Sequence, residues 1–457
     1  MTRVALRDLA RHAWVWAAVG LVALTVAVFT TWCLSFTVAV STAPDALFAA
    51  AGTDRRGYQQ VGGNLLGLTC LPAVVVLGIV LSSVTVHTAE AQSLWRLGGA
   101  TPQQVVRMLA LQTVAVSGLA TIGGAALSAP LQPAVNQVLS GLGKGGLREL
   151  PTVYSPVALV GAVAVLTLVS VAAVVVPAWR AALRSPTQVR SAPEEATRPG
   201  RGYAVGAGVV LVLGVLPLVS IIGVMRMADG VFLTAAVTLP LGQGAVLACA
   251  LAAPWVLPGL IAVWTRLLAP TSWTSWQLAR HLSLARVAGS AATVAPLMLG
   301  LGLLASYGML NDTLVAIAPP GATPNEVEGM VVLVPVAVIS AAGSIAVVMM
   351  AGRQHTRDIV AMRSAGATPL GTAGVLALES VIVVGSAVIL ALVPAAAQYG
   401  LLAYALSLHQ VSTGHIGFDA LPAAVLAAAA LAGMLLALLL AVRSTWRRPL
   451  SELLGDR

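Results

Sequence analysis

Long apolar stretches separated by short polar segments make up most of this chain. A membrane-spanning helix needs about 20 mostly apolar residues, because it must cross roughly 30 Å of hydrocarbon. Ten stretches meet this requirement, and Pro254 and Pro258 interrupt the sixth. They cover residues 14–38, 63–86, 106–128, 155–178, 203–224, 233–264, 287–310, 330–351, 373–396 and 419–442. The pattern predicts an all-α polytopic membrane protein with about ten transmembrane helices.

Composition supports the same class of protein. The chain is 58% hydrophobic and 9% charged, whereas a soluble domain carries roughly 25% charged residues. Cys33, Cys70 and Cys249 all fall within predicted spans and match no metal or redox spacing, which predicts small buried apolar side chains. The first apolar run is too long for the core of a cleavable signal peptide, so we expect it to remain as an anchor.

Basic residues lie mainly on one side of the predicted membrane. Of the 25 Lys and Arg residues, 20 lie before the first span, after an even-numbered span or at the chain end. The five on the other side are Arg55, Arg56, Lys144, Arg148 and Arg226. Positive charge marks the cytoplasmic face, so both termini are predicted to be cytoplasmic. The net charge of +9 requires no nucleic acid partner, because anionic lipid headgroups account for it.

The chain also contains a duplicated unit. Three markers recur in the same order, with similar offsets: Leu9-Ala-Arg-His12 as Leu278-Ala-Arg-His281, Gly99-Ala-Thr-Pro102 as Gly366-Ala-Thr-Pro369, and Arg180…Pro186 as Arg443…Pro449. Residues 1–190 hold a basic lead and four spans, and 271–457 repeat this order. Residues 191–270 hold a linker and two extra spans. The repeat predicts a 4+2+4 arrangement with two pseudo-symmetric four-helix units.

Two short polar regions of each unit carry further predictions. In the first lead, Arg3, Arg7 and Arg11 form one stripe, which predicts a helix lying on the inner leaflet. Between the second and third spans of each unit, an amphipathic segment ends at Gly99 or Gly366. Glycine can adopt the left-handed conformation that ends a helix, and the Thr-Pro that follows can start the next one. We therefore predict short cytoplasmic helices around 88–98 and 356–365, each able to dock into a partner.

These segments resemble the FtsX-like permease family of ABC transporters, which includes macrolide-exporter, lipoprotein-release and bacitracin-resistance permeases. The family phrase is close to R-E-I-A-L-L-R-A-L-G-A-T, followed about ten residues later by a Glu in the next span. The second copy, Arg357-Asp-Ile-Val-Ala-Met-Arg-Ser-Ala-Gly-Ala-Thr368, matches this phrase, and Glu379 falls on the Glu. The first copy departs from it, with Ala91 at the acidic position, Glu90 one residue early and Gln112 in place of the Glu.

The resemblance implies a permease subunit in a bacterial cytoplasmic membrane, driven by two cytoplasmic ABC ATPase subunits that bind the ATP. This chain then needs no cofactor of its own. The residues implied in ATPase coupling are Glu90, Trp95, Arg96, Gly99, Asp358, Met362, Arg363 and Gly366. Gln112 and Glu379 are implied as intramembrane polar positions.

No catalytic or metal site is predicted from the residues themselves. Lys144 follows a glycine-rich run, but no Ser or Thr follows it and no glycine stands at the upstream position that a phosphate-binding loop requires. His409 and His415 lie near Asp419, but their spacing determines no third ligand. The chain is therefore predicted not to be an enzyme.

The layout most resembles the bacitracin-resistance branch, which carries a large extracellular domain between spans seven and eight. Only residues 311–329 occupy that place here. We expect export or extraction of an amphiphilic substrate, such as an antimicrobial peptide, a drug or a lipid. One alternative is a non-transporting mechanotransmitter that controls a cell-wall enzyme or sensor kinase, which the short outer loops disfavour. Another is an ion-coupled carrier with Glu379 as its coupling site, which co-purification with an ATPase would exclude.

Overall fold

The computed structural model describes residues 2–50, 55–141, 156–183, 225, 230–268, 274–285, 287–318, 326–350 and 352–447. The predicted fifth span, 203–224, and the linker at 191–200 lie outside these residues, as do most of the glycine-rich segment around Lys144 and the chain end. Within the described part of the chain, regular structure consists of α-helices and one short 3₁₀ turn at Thr413–His415.

Fifteen α-helices fall within these described ranges. They are α1 Thr2–Arg11, α2 Ala13–Thr42, α3 Asp45–Ala50, α4 Arg55–His87, α5 Ala89–Leu97, α6 Pro102–Gly141, α7 Pro156–Leu183, α8 Val231–Ala236, α9 Thr238–Leu268, α10 Thr274–Ala285, α11 Val287–Ala316, α12 Glu326–Met350, α13 Gly352–Ser364, α14 Pro369–Leu408 and α15 Leu421–Trp446.

Nine segments of the described helices are long and apolar enough to cross a membrane. Eight of them lie on α2, α4, α6, α7, α11, α12, α14 and α15, and the ninth runs from α8 into α9. They correspond to nine of the ten spans that the hydropathy pattern predicts. The prediction of an all-α polytopic membrane protein is confirmed.

Two helices extend well beyond their predicted spans. Both α6 and α14 have 40 residues, which corresponds to about 60 Å of helix, twice the thickness of the hydrocarbon core. The predicted third span ends at residue 128, but α6 continues through Pro130 and Pro133 to Gly141. A proline removes one backbone donor and usually bends a helix, but it does not always end one.

The chain folds into two compact units. The first comprises Met1–Ser191, Tyr307–Ala342 and Gly414–Phe418. The second comprises Ala192–Ser306, Gly343–Thr413 and Asp419–Arg457. The domain limits at residues 190 and 270 that the repeat indicates stay a prediction.

In the first unit, α2 packs against α4, α6 and α7. Small and weakly polar residues let these helices approach closely, which is how membrane helices associate without a hydrophobic driving force. Gly124 of α6 lies directly against Ala27 of α2. Ser170 of α7 donates a hydrogen bond of 2.8 Å to the Ser117 hydroxyl on α6.

In the second unit, α14 packs against α9, α10 and α15. In the predicted 4+2+4 arrangement, α9 is one of the two extra spans. Trp264 of α9 donates a 3.0 Å hydrogen bond to Ser386 of α14. A Cβ on Gly385 would lie 3.1 Å from the Trp264 indole, so the absence of a side chain at residue 385 allows this approach.

We predict opposite effects for two alanine substitutions on α6. Gly124→Ala should destabilise the protein by about 1–3 kcal/mol, because the new Cβ would lie 2.8 Å from the backbone nitrogen of Val28. Gly118→Ala is the matched control, because no atom lies within 4 Å of a Cβ there. It should be neutral or stabilising by at most about 1 kcal/mol. Thermal unfolding in detergent measures both variants, and equal effects would contradict this packing.

Candidate functional site

The same helix-ending corner occurs in both copies of the repeat. Gly99 follows α5 and Gly366 follows α13, with φ values of +91° and +87°. The backbone amide of Ala100 donates to the Trp95 carbonyl at 3.0 Å. The backbone amide of Ala367 likewise donates to the Met362 carbonyl at 2.9 Å. This six-residue closure with a left-handed glycine is the Schellman motif. The predicted glycine corners are confirmed.

A threonine cap starts the following helix in each copy. Thr101 Oγ1 accepts a hydrogen bond from the backbone amide of Gln104 at 3.4 Å. The side-chain oxygen Oε1 of Gln104 accepts one from the backbone amide of Thr101 at 2.9 Å. This reciprocal pair is a capping box. In the second copy, Thr368 Oγ1 accepts from the Gly371 amide at 3.1 Å, and glycine has no side chain to return the bond. The corner therefore holds each short helix at a defined angle to the long helix that follows it.

The α5 helix is anchored on one side and exposed on the other. Gln92 is buried and donates a 2.8 Å hydrogen bond to Thr88 Oγ1, so it faces inward. Leu94 and Leu97 are 62% and 71% exposed. Of the residues implied in coupling, Trp95 and Arg96 are half-buried, Gly99 is exposed, and Glu90 lies in the first turn of α5. The outward surface of α5 is thus apolar.

The α13 helix is anchored through an apolar cluster with α14 and α15. Ile359 is fully buried among Leu376, Leu438 and Val442. The Arg363 guanidinium lies 4.7 Å from the centre of the Trp446 ring, a cation–π contact that attaches the end of α13 to α15. Arg363 therefore contributes to anchoring its own helix.

The outward residues of α13 differ in size and charge from those of α5. Arg357, Ala361 and Ser364 are exposed, as is Gly366. Asp358 and Met362 are half-buried. In the repeat, Ala361 and Ser364 stand where Leu94 and Leu97 stand in the first copy, 267 residues earlier. The first copy thus presents large apolar side chains where the second presents small ones.

The structure also shows a partner for Gln112. Gln112 Nε2 donates to Asp8 Oδ2 at 3.1 Å, and both residues are buried. Asp8 lies on α1 and also pairs with His12, one turn later, at 3.2 Å. A carboxylate that accepts hydrogen bonds in a buried site holds its neighbours strongly, because breaking the contact would leave a charged group unsatisfied. This contact holds α1, the first lead helix, against α6, the third span.

The second lead helix is fastened to a different element. Arg280 Nε of α10 donates to Thr265 Oγ1 of α9 at 2.9 Å. The Trp276 ring of α10 meets the Trp264 ring edge to face, with centroids 6.2 Å apart. Glu379, which corresponds to Gln112, is buried on α14, against which α10 also packs. The α9 helix thus holds α10, whereas α6 holds α1 through the Gln112–Asp8 contact.

Sequence reasoning missed Asp8, Leu94 and Leu97. A signal for Asp8 was present, because it is the first acidic residue of a strongly basic lead and the next is Asp45. No comparable signal marked the two leucines. The direction in which a short helix faces depends on how it is anchored, and Gln92 and Thr88 determine that here.

We expect the Asp8–Gln112 contact to appear as an energetic coupling. Asp8→Ala and Gln112→Leu should each lower stability by about 1–3 kcal/mol, because each leaves a buried polar group without its partner. The double variant should cost about 0.5–3 kcal/mol less than the sum of the two. Thermal unfolding of the four proteins in one detergent measures this cycle. Strictly additive losses would show that the two side chains do not interact.

Comparison with known proteins agrees with this architecture. No curated protein matches the chain. Residues 65–186 match the family model described as FtsX-like permease C-terminal. The match covers α5, the Gly99 corner, and the third and fourth spans. Gln112 lies in the third of these spans. Members of this family are membrane subunits of ABC systems and associate with an ABC ATPase. Over residues 65–186, the chain is similar to the C-terminal domain of FtsX-like permeases.

Proposed function

We propose that this chain is the transmembrane permease subunit of an ATP-driven ABC transporter that exports or extracts an amphiphilic substrate. An antimicrobial peptide, a drug or a lipid would fit this class. The observation that carries the proposal is the pair of short helices, α5 and α13, that end in the same Schellman corner. Each leads through a capped turn into a 40-residue helix, so a displacement of the short helix would be transmitted along the long one.

The proposed partner is a pair of cytoplasmic ABC ATPase subunits that bind the ATP. Such subunits close as a pair around two ATP molecules, and each needs a mechanical link to the membrane. One chain with two docking helices supplies both links. In this proposal the chain has no catalytic residue of its own.

The proposed location is a bacterial cytoplasmic membrane with both chain ends in the cytoplasm. The asymmetry of basic residues supports this orientation, because the leads, α5 and α13 all lie on the basic side. The α5 and α13 helices would then face the compartment that holds ATP.

The docking residues inferred from the geometry are Leu94 and Leu97 on α5 and Arg357 on α13. Aliphatic side chains on an exposed turn suit an apolar groove. The corresponding residues Ala361 and Ser364 cannot fill the same groove to the same depth, because their side chains are smaller. The two docking contacts are therefore proposed to be unequal.

A direct test converts one docking surface into the other. Leu94→Ala combined with Leu97→Ser gives α5 the outward residues of α13. We expect permease-stimulated ATP hydrolysis in nanodiscs to fall roughly threefold or more, because apolar anchors are lost from a contact. The assay uses the complex of the permease with the ABC ATPase that co-purifies with it.

The matched control is Leu421→Ala. Leu421 is 65% exposed at the start of α15, and its position before the last span places it on the predicted outer side, so its loss should leave ATP hydrolysis unchanged. Native mass spectrometry of the same complex should give one permease chain with two ATPase subunits. A mass with two permease chains, or purification without any ATPase, would contradict the proposed partner.

Transport itself is tested in proteoliposomes that contain the complex. A fluorescent lysophospholipid and a fluorescent cationic amphipathic peptide serve as probes. ATP-dependent loss of either probe from its leaflet supports extraction or export. ATP hydrolysis that displaces neither probe would favour the mechanotransmitter instead.

Glu379 distinguishes the ATP-driven function from an ion-coupled one. Glu379→Gln should retain most transport, because Gln112 fills the corresponding position in the first repeat. Glu379→Leu should lose about 1–3 kcal/mol of stability, because a buried polar contact is removed. Transport and thermal unfolding are measured for both. A well-folded Gln variant without transport would favour proton coupling.

A further inference from the structure

We propose that Arg7, Arg11 and Trp14 form a binding site for the headgroup of an anionic phospholipid where the first span begins. We call these three residues the lead stripe. The proposal goes beyond the permease function and depends neither on the ATPase nor on the transported substrate. Three observations carry it: the exposure of the stripe, the inward attachment of Asp8, and the opposite arrangement in the second lead helix.

The lead stripe lies where α1 passes into α2. Arg7 and Arg11 are one turn apart on α1, and Trp14 follows in the first turn of α2. Residues at this spacing share one side of a helix. Both arginines are exposed, and Trp14 is 62% exposed. The stripe is therefore open at the level where the first span starts.

The acidic residue between the two arginines faces inward. Asp8 is the acidic residue of α1, and it is buried. Its Oδ2 accepts from Gln112 of α6 at 3.1 Å, and its Oδ1 lies 3.2 Å from Nδ1 of His12. These contacts fix the rotation of α1 and direct its negative charge towards α6. The outward face of α1 therefore carries positive charge.

The corresponding face of the second lead helix is covered. Residues 269 positions later in the chain are Trp276, Arg280 and Ser283 of α10. Trp276 and Ser283 are buried, and Arg280 Nε donates to Thr265 Oγ1 of α9 at 2.9 Å. On α10 the arginine at this position is thus bound within the protein. On α1 the same face is open to a ligand.

A phospholipid headgroup matches the charge of the lead stripe. A guanidinium group binds phosphate oxygens through two parallel hydrogen bonds. Side chains one helical turn apart have Cβ atoms about 5–6 Å from each other, so both arginines can reach the same phosphate. A zwitterionic headgroup would also bring a cation towards two positive charges, so an anionic lipid fits this surface better.

The depth of the stripe also suits a lipid. Tryptophan favours the membrane interface, where its ring lies among the headgroups. Trp14 follows Arg11 by about one turn in the direction of the hydrocarbon, at the level of the glycerol and the first acyl carbons. The asymmetry of basic residues predicts that α1 lies at the cytoplasmic leaflet, which is the leaflet that holds anionic lipids. Membrane charge would then stabilise the first lead helix and not the second.

Lipid retention by the full chain gives the first test. The protein is purified in detergent and mixed with micelles that contain phosphatidylglycerol and phosphatidylcholine, and native mass spectrometry counts the bound lipids. We expect the double variant Arg7→Gln, Arg11→Gln to retain about fivefold less phosphatidylglycerol, or lower still. Its retention of phosphatidylcholine and its Tm without added lipid should stay unchanged.

The matched control is the double variant Arg443→Gln, Arg447→Gln. These arginines are also exposed and one turn apart, at the end of α15 on the same predicted side, so the same charge is removed. Equal losses in the two double variants overturn the proposal, because retention would then follow net charge alone. Unchanged retention in the Arg7, Arg11 variant also overturns it, and loss of the ATPase from that variant would assign the stripe to a protein partner.

Asp8→Ala separates a built site from a general effect of charge. This substitution makes the chain more positive, so a general charge effect would raise phosphatidylglycerol retention. We expect retention to fall instead, because α1 loses the contact that turns the lead stripe outward. Asp8→Asn can still accept from Gln112 and should keep the lipid. Both variants are measured below their Tm, and a higher retention by Asp8→Ala overturns the proposal.

Discussion

A polar group placed in hydrocarbon must find its partner within the protein. For the backbone, this constraint permits helices and closed barrels only, and the described part of this chain meets it with helices. For side chains, it favours hydrogen bonds between buried polar groups on neighbouring helices. Within the first unit, the Ser117–Ser170 and Gln112–Asp8 hydrogen bonds are of this kind.

The two repeats meet the same constraint in different ways. The first lead helix is held by a carboxylate–amide contact to the third span of its own unit. The second is held by Arg280 on Thr265, a residue of the extra span. The long helices differ accordingly. Ser386 is fully buried against Trp264 of α9, whereas Leu119, at the same repeat position, is 72% exposed. Packing against α9 thus covers this face of α14, whereas the corresponding position of α6 is exposed.

The corners between the short and long helices are, by contrast, the same in both repeats. A left-handed glycine and a threonine cap satisfy the backbone locally, and neither depends on distant contacts. Local stereochemistry therefore gives the same geometry in different surroundings. The outward side chains of α5 and α13 have no such restraint, and they differ between Leu94 and Ala361. We infer that the corner joining the short helix to its long helix is the same in both repeats. The proposed docking contacts of α5 and α13 differ, because their outward side chains differ.

The sequence by itself determined the fold class, nine of the spans that the structure describes, and the two corners. Each of these depends on local properties, namely apolar length, the conformational freedom of Gly99 and Gly366, and the capping of Thr101 and Thr368. The extension of α6 beyond residue 128 could not be predicted, because whether a helix continues through Pro130 depends on what surrounds the freed carbonyl. Only the tertiary structure decided that Asp8 meets Gln112 and that Gln92 faces inward. These contacts join residues far apart in the chain or depend on how a helix is rotated, and no local pattern contains that information.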